Sequence, residues 1–150
     1  MKILMVCLGN ICRSPLAEGI LLTKIRDKSL LWEVDSAGTS AYHAGDLPDT
    51  RSIRVAAKHG LDISYQRSRK VTQRDLDEFD LIFAMDASNF SNLNQLTINN
   101  EQLKKIKLIM NEAFPDENRG VPDPYWDDDG FQKVYDMLDL ACEQIIKNYR

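Results

Sequence analysis

Short apolar runs alternate with helical patterns along this chain of 150 residues. The apolar runs, each bounded by turn residues, fall at 2–6, 32–36, 81–85 and 106–110. Helical patterns fall at 16–28, 48–58, 72–78, 86–96 and 130–148, with Thr72 and Asp86 as expected N-caps and Gly60 as an expected C-cap. Strands that alternate with helices pair in parallel, because each helix returns the chain to the starting edge of the sheet. The pattern therefore predicts an α/β fold with a four-stranded parallel sheet and helices on both faces.

The expected strand order is 2-1-3-4, which gives the end of strand 1 a special position. It becomes a topological switch point, where α/β sheets place their ligand sites. The length suits one domain, residues 1–150, which is long enough to bury a core without disulfides or metals. We therefore expect the functional loop directly after strand 1.

The segment after strand 1 carries a thiol, a guanidinium and a hydroxyl. Five residues separate Cys7 from Arg13, and Ser14 follows at once. A free thiol titrates near pKa ~8.5, so a nucleophilic cysteine needs positive surroundings to ionise at neutral pH. Inward-facing loop amides, the following helix dipole and Arg13 all supply positive charge, and the same donors suit a phosphoryl group. The spacing predicts a phosphate-binding loop with the sulfur placed behind phosphorus.

Residues within this loop suit a tight turn around an anion. Gly9 and Asn10 tolerate left-handed backbone. Ser14 is the expected N-cap of the next helix, with Pro15 at the first helical position. As a hypothesis, the Ser14 hydroxyl also donates to the Cys7 sulfur when that sulfur becomes a leaving group.

The chain resembles the low-molecular-weight protein tyrosine phosphatase family. The similarity is carried by VCLGNICRSP at 6–15, and more weakly by VDSAG at 34–38, HG at 59–60, FD at 79–80, MD at 85–86 and DPY at 123–125. The resemblance implies that Cys7 is the nucleophile, Arg13 the phosphate clamp and Asp123 the general acid. It also implies that Cys12 is a redox partner of Cys7. By the same resemblance, the residues that form, hold or order the phosphate loop are Leu8, Gly9, Asn10, Ile11, Cys12, Ser14 and Ser36.

Two positions depart from the family pattern. Members often carry a histidine that braces the loop asparagine, and Gln66 is expected to take its place here. Trp126 follows Tyr125 where a second tyrosine is frequent. The first departure concerns bracing of the loop and the second the shape of the pocket, so neither changes the expected chemistry.

The residues around Asp123 support its assignment as the acid. A departing phenolate leaves faster when it is protonated. Pro122 and Pro124 stiffen the backbone on either side of Asp123, and Tyr125 and Trp126 follow. With Tyr42, which is assigned mainly by resemblance, these aromatic residues are the expected pocket wall. Such a wall favours a slot that grips a flat phenyl ring and excludes short phosphoserine.

Composition limits the partners and the compartment. A net charge of −4 argues against nucleic acid as the main partner. Three cysteines, two of them in one loop, favour a reducing cytoplasm over a disulfide framework. No run is long enough to span a membrane, and no spacing of ligand residues indicates a metal, so no metal or cofactor is expected. The expected partners are phosphotyrosine proteins or aryl phosphates, with inorganic phosphate as product and a monomer favoured.

Three other functions remain as alternatives. A phosphoarginine phosphatase of similar sequence has threonine where this chain has Ile11, whose apolar side chain disfavours a guanidinium. An arsenate reductase needs further thiols, and no cysteine lies between Val71 and Gly120. A phosphocarrier must not hydrolyse its own phosphocysteine, and Arg13 and Asp123 argue against that function.

Overall fold

The computed structural model describes residues 1–150 and contains one parallel sheet of four strands. The strands are β1 Lys2–Cys7, β2 Glu33–Gly38, β3 Leu81–Ala84 and β4 Ile106–Leu108. Their order is β2-β1-β3-β4, and every pairing is parallel. This confirms the predicted sheet, and it places the end of β1 between β2 and β3.

Six α-helices connect and cover the strands. They are α1 Arg13–Asp27, α2 Thr50–Lys58, α3 Gln73–Glu78, α4 Ala87–Leu96, α5 Asn100–Lys104 and α6 Phe131–Tyr149. Short 3-10 helices occur at Ile109–Glu112 and Asp128–Gly130. The sequence did not predict α5, and it extended β4 into the first of these 3-10 helices. None of the helices combines the length and apolar character needed to cross a membrane.

Alternate residues of β1 belong to two different cores. Ile3, Met5 and Cys7 join the larger cluster, which includes buried side chains of α1, α2 and α6. Leu4 and Val6 join a smaller cluster with side chains of α3, α4 and β4. Because successive side chains of a strand point to opposite faces, the sheet lies between these two layers, with helices on both faces as predicted.

Helix ends follow the sequence signals except at α1. Thr72 forms a reciprocal capping box with Asp75, Asp86 accepts from the Asn89 amide, and Gly60 adopts a φ of +79° after α2. The expected Ser14 cap is wrong, because α1 already begins at Arg13 and Cys12, its N-cap residue, makes no side-chain cap bond. The first helical turn therefore continues directly from the loop, and the Ser14 hydroxyl is free for another partner.

Candidate active site

The loop from Leu8 to Cys12 leaves the carboxyl edge of the sheet between β2 and β3. Cys7, at the end of β1, is 2% exposed. Asn10 adopts a φ of +55°, the left-handed conformation expected of this loop. The turn at Asn10 brings the chain back over the end of β1, so that α1 starts close to the sulfur.

The carbonyl groups of the loop are held from outside. The Cys7 and Leu8 carbonyls accept from the amides of Thr39 and Ser40, at 3.0 and 2.9 Å. Ser68 Oγ donates to the Gly9 carbonyl at 2.9 Å. The Asp49 amide donates to the Ile11 carbonyl at 2.8 Å, and Ser52 Oγ donates to the Cys12 carbonyl at 3.1 Å.

The amide N–H groups of this loop have the opposite arrangement. None of the amides of residues 8–12 donates to an acceptor within the protein. A trans peptide unit directs its C=O and the N–H of the next residue to opposite sides, so these outward carbonyls turn the amides of residues 8, 9, 10 and 12 toward the inside of the loop. Consecutive inward amides form a concave site for an anion.

Asn10 sets the direction of the hydrogen bonds behind the sulfur. Its Oδ1 accepts from the Arg69 amide at 3.0 Å, so its Nδ2 faces the two serines. Nδ2 donates to Ser14 Oγ at 2.7 Å and to Ser36 Oγ at 3.0 Å. Ser14 Oγ lies 3.1 Å from Cys7 Sγ, and because its oxygen already accepts from Asn10, its own proton is available to the sulfur.

Arg13 is buried beside the sulfur and held by two partners. Its Nη1 donates to Asp86 Oδ2 at 2.6 Å and to the Val121 carbonyl at 3.0 Å. Burial by itself lowers the pKa of this guanidinium, but the negative charges of Cys7 and Asp86 raise it, so Arg13 stays protonated. From the sequence alone, Asp86 is expected only as the N-cap of a helix. Asp86 performs that role with Oδ1 while Oδ2 binds Arg13.

Asp123 lies at the mouth of the site. Its Oδ2 is 3.8 Å from Arg13 Nη2, and its side chain is 42% exposed. The Tyr125 amide donates to its other oxygen at 3.1 Å. The segment is fixed upstream, where the Val121 amide donates to the Met85 carbonyl at 2.8 Å. The carboxyl group therefore reaches the same space as Cys7 and Arg13 while staying open to solvent.

These groups share one cleft of about 500 Å³. Tyr42 and Trp126 stand at its rim, with 86% and 91% of their surfaces exposed. Tyr125 meets Trp126 edge-on with ring centroids 4.8 Å apart. The sequence missed two further lining residues, Ser40 and His43. The other lining residues are Cys7, Leu8, Gly9, Ile11, Cys12, Arg13 and Asp123.

The family model for low molecular weight phosphotyrosine protein phosphatases matches residues 2–150. The chain belongs to this family. A low molecular weight phosphotyrosine protein phosphatase of Schizosaccharomyces pombe is 38% identical to it, over 98% of this chain and 96% of the relative.

Two solved structures extend the similarity to the fold. A protein tyrosine phosphatase from Entamoeba histolytica, solved with Hepes in its active site, is 38% identical with a TM-score of 0.92, covering 99% of this chain and 96% of that one. A Drosophila arginine phosphatase is 34% identical with a TM-score of 0.93, covering 100% and 98%. Proteins named for two different phosphorylated substrates therefore share this fold.

Gln66 departs from the role expected in this phosphatase family. It makes no hydrogen bond to Asn10. Its Nε2 donates to the Pro15 carbonyl at 3.0 Å, and its Oε1 accepts from Ser36 Oγ at 3.4 Å. The Asn10 side chain is held by the Arg69 amide and by Ser36. Gln66 contacts Ser36 and reaches Asn10 only through it.

Glu18 is the buried charge that the sequence did not reveal. It is 5% exposed, and it accepts from Ser36 Oγ and from the Tyr65 hydroxyl, both at 2.8 Å. Burial raises the pKa of Glu18 to about 7, and these two hydrogen bonds only partly oppose the increase. In a helical sequence pattern, a glutamate normally indicates the solvent-exposed face of the helix. The buried position of Glu18 is therefore visible only from its contacts with Ser36 and Tyr65.

Proposed function

We propose that this phosphatase hydrolyses protein phosphotyrosine through a phosphocysteine formed on Cys7. The loop amides and Arg13 would hold the three equatorial oxygens of the phosphoryl group. The sulfur attacks phosphorus, the bond to the tyrosine oxygen breaks, and Asp123 gives its proton to the leaving phenolate. A water molecule then attacks the phosphocysteine, with Asp123 as the base that accepts its proton, and phosphate and the thiolate are released.

The observation that carries this proposal is the orientation of the loop. Five outward carbonyls are bonded to neighbouring elements, and the five amides of residues 8–12 donate to no protein acceptor. Consecutive amides without a protein acceptor, at the bottom of a cleft, form a site whose acceptors an anion would supply.

The choice of Cys7 over Cys12 as nucleophile follows from their surroundings. Burial raises the pKa of the Cys12 thiol, and the negative charges of Asp49 and Cys7 raise it further. Ser14 Oγ is placed to donate to Cys7 Sγ. Cys12 is therefore neutral at physiological pH, and Cys7 has the hydrogen-bond donor that a thiolate accepts.

The wall of the cleft supports an aryl substrate. Tyr42, Tyr125 and Trp126 present aromatic surface above the loop. A phenyl ring gains from edge and face contacts with such side chains. A phosphoserine side chain is shorter and has no ring to make these contacts. We therefore expect phosphotyrosine to be the better substrate.

Phosphoarginine is the second candidate, and the similarity to the arginine phosphatase favours testing it. Asp123 is the only carboxylate that lines the cleft, and Ile11 presents an apolar side chain beside it. A guanidinium needs several oxygen acceptors to replace its hydration. We expect turnover of a phosphotyrosine peptide to exceed that of a matched phosphoarginine peptide, and the reverse order would assign the second function.

Substitution of Cys7 by serine tests the central step. Cys7→Ser should abolish turnover of 4-nitrophenyl phosphate, because an alcohol is not ionised here at neutral pH. Cys12→Ser is the matched control in the same loop and should keep most of the activity. Retained turnover in Cys7→Ser would falsify the assignment of the nucleophile.

Oxidation of the loop thiols is a further proposal. Cys7, Cys12 and Cys142 are all free and buried. Peroxide would oxidise the Cys7 thiolate to a sulfenic acid, and the Cys12 thiol would then displace hydroxide, forming a disulfide and water. Cys12→Ser should lose the recovery of activity by dithiothreitol after peroxide. Full recovery in that variant would contradict the proposal.

A further inference from the structure

The first turn of α2 contacts the phosphate loop from behind. The Asp49 amide donates to the Ile11 carbonyl at 2.8 Å, and Ser52 Oγ donates to the Cys12 carbonyl at 3.1 Å. Asp49 is also the N-cap of α2, since its Oδ1 accepts from the Arg51 amide. The start of this helix is therefore fixed relative to the loop that holds Cys7.

Arg51 extends from this turn to the segment that carries Asp123. Its Nε and Nη2 donate to the two carboxylate oxygens of Asp49, at 3.0 and 2.9 Å. Its Nη1 donates to Asp128 at 2.5 Å. The guanidinium carbon also lies 5.6 Å from the ring centre of Tyr125 and 4.6 Å from that of Phe131. One side chain thus touches three residues between Asp123 and the start of α6.

Few hydrogen bonds join this segment to the rest of the protein, although Pro124 is buried and Tyr125 packs against the larger core. Arg51 is the only side chain outside residues 122–130 that hydrogen-bonds to them. Asp123 is held locally by the Tyr125 amide, and its contact with Arg13 is a long one of 3.8 Å. The place of the Asp123 carboxyl group over the loop therefore depends on how Tyr125 and Asp128 are docked.

We propose that Arg51 is a positioning residue for the general acid. Arg51 connects α2 to the segment that carries Asp123, and α2 is itself bonded to the phosphate loop. The side chain of Arg51 thereby positions the Asp123 carboxyl group next to the leaving oxygen. The inference rests on the proposed function of Asp123. Proton transfer requires hydrogen-bond distance, and a displacement of about 1 Å in a catalytic group lowers rates strongly. Asp128 is 86% exposed, so its ion pair contributes mainly to placement and little to stability.

The test uses the dependence of kcat/KM on the leaving group. The value of kcat/KM depends only on the steps up to departure of the phenol. Phenolate is a poorer leaving group than 4-nitrophenolate, so its departure depends far more on protonation by an acid. Arg51→Met keeps an unbranched apolar side chain but removes the guanidinium. We expect its kcat/KM to fall about tenfold more for phenyl phosphate than for 4-nitrophenyl phosphate. This factor is smaller than the whole contribution of a general acid, because the variant displaces Asp123 without removing it. The inhibition constant of inorganic phosphate should stay unchanged.

Two further variants serve as comparisons. Arg54→Met changes an exposed arginine on the same helix that forms no ion pair, and it should leave both substrates unaffected. Asp128→Asn removes only one partner of Arg51 and should shift the ratio in the same direction by a smaller factor. If Arg51→Met does not fold, the result for Asp128→Asn decides the proposal.

A double-mutant cycle with Asp123→Asn separates this inference from the proposed function. Without the acid, Arg51→Met should cause no further selective loss for phenyl phosphate. Equal losses for both substrates in Arg51→Met, or a weaker affinity for phosphate, would overturn the positioning role while leaving the function of Asp123 intact. If Asp123→Asn itself shows no greater loss for phenyl phosphate, the assigned acid is wrong and the inference fails with it.

Discussion

Asn10 shows how one residue serves both backbone and side-chain requirements of the loop. Its φ of +55° closes the turn, and its amide group orders the protons of Ser14 and Ser36. The sequence predicted the first property, because asparagine tolerates left-handed backbone better than most residues. It did not predict the bond from the Arg69 amide that fixes the orientation of the Asn10 side chain, because 59 residues separate the two along the chain.

Glu18 should make the stability of the fold depend on pH. Burial raises the pKa of Glu18 to about 7 from ~4.3 for a free glutamate. Between these values the folded protein keeps a proton that the unfolded chain has released, so the free energy of unfolding falls as pH rises. Above the pKa of Glu18 in the folded protein, the free energy of unfolding is lower by on the order of 3 kcal/mol than at a pH where Glu18 is protonated in both states.

Glu18→Gln removes this titration and tests its sign. The amide oxygen still accepts from Ser36, and its N–H group meets the Tyr65 oxygen. In urea unfolding at about pH 4 and about pH 8, the variant should be close to wild type at the lower pH and more stable at the higher one. Glu101→Gln, which is exposed, is the control. The same change with pH in wild type and Glu18→Gln would contradict the account.

At the scale of elements, the end of β2 limits the space behind the phosphate loop. A Cβ atom on Gly38 would lie 2.7 Å from the Leu8 carbonyl oxygen and 3.2 Å from the Asn10 Cβ. The backbone of Gly38 also pairs with β1 at Cys7. Since the nearest of these atoms belongs to the backbone, the loop has to move if this position carries a side chain.

Gly38→Ala should therefore weaken the binding of phosphate. We expect the inhibition constant of inorganic phosphate to rise at least tenfold and kcat/KM for aryl phosphates to fall in parallel. Gly60→Ala is the matched control, because Gly60 has a φ of +79° and no neighbour within 4 Å at the far end of α2. It should lower stability and leave phosphate affinity unchanged. Wild-type phosphate affinity in Gly38→Ala would show that the loop does not depend on this close contact.

Elements differ in how far the sequence determined them. The strand order and five of the helices follow from apolar runs, caps and turn residues, because these signals are local. Two errors arose where local signals are ambiguous. Residues 106–110 are apolar except for Lys107, and periodicity does not show where β4 ends and the 3-10 helix from Ile109 begins. Helix α5 has five residues and no apolar face of its own, so only its Asn99 cap marks it.

The site was predictable where it is continuous in sequence. Residues 7–14 carry the proposed nucleophile, the proposed phosphate clamp and the turn within one segment. Asp86, Glu18, Ser40 and His43 come from other elements, and ordinary helix, turn or surface roles explain them equally well in sequence. Their contacts arise only when β2 and β3 flank β1, which is why the sequence pointed to the residues proposed to react but missed several of their partners.

At the scale of the whole molecule, α6 covers α1 and completes the larger core. Leu138 is fully buried in that core, whereas Leu140, two residues further along the same helix, is 43% exposed. Leu138→Ala should reduce the free energy of unfolding by about 2–5 kcal/mol, through lost burial and a cavity. Leu140→Ala should cost less than about 1 kcal/mol.

Neither Leu138 nor Leu140 lines the cleft, so the two variants also test how stability and activity are connected. Both should keep the wild-type KM for 4-nitrophenyl phosphate while they remain folded. Urea unfolding and steady-state kinetics on the same samples provide the comparison. An equal loss of stability in both leucine variants would contradict the arrangement of α6 described here.

A crystal soaked with orthovanadate is the decisive test of the phosphate loop and of Cys7. We expect vanadium bonded to Cys7 Sγ, with equatorial oxygens accepting from the amides of the loop and from Arg13. Asp123 should lie within hydrogen-bond distance of the oxygen opposite the sulfur. Vanadate bound elsewhere, or bound in the loop without a bond to Sγ, would contradict the assignment of this loop and of Cys7.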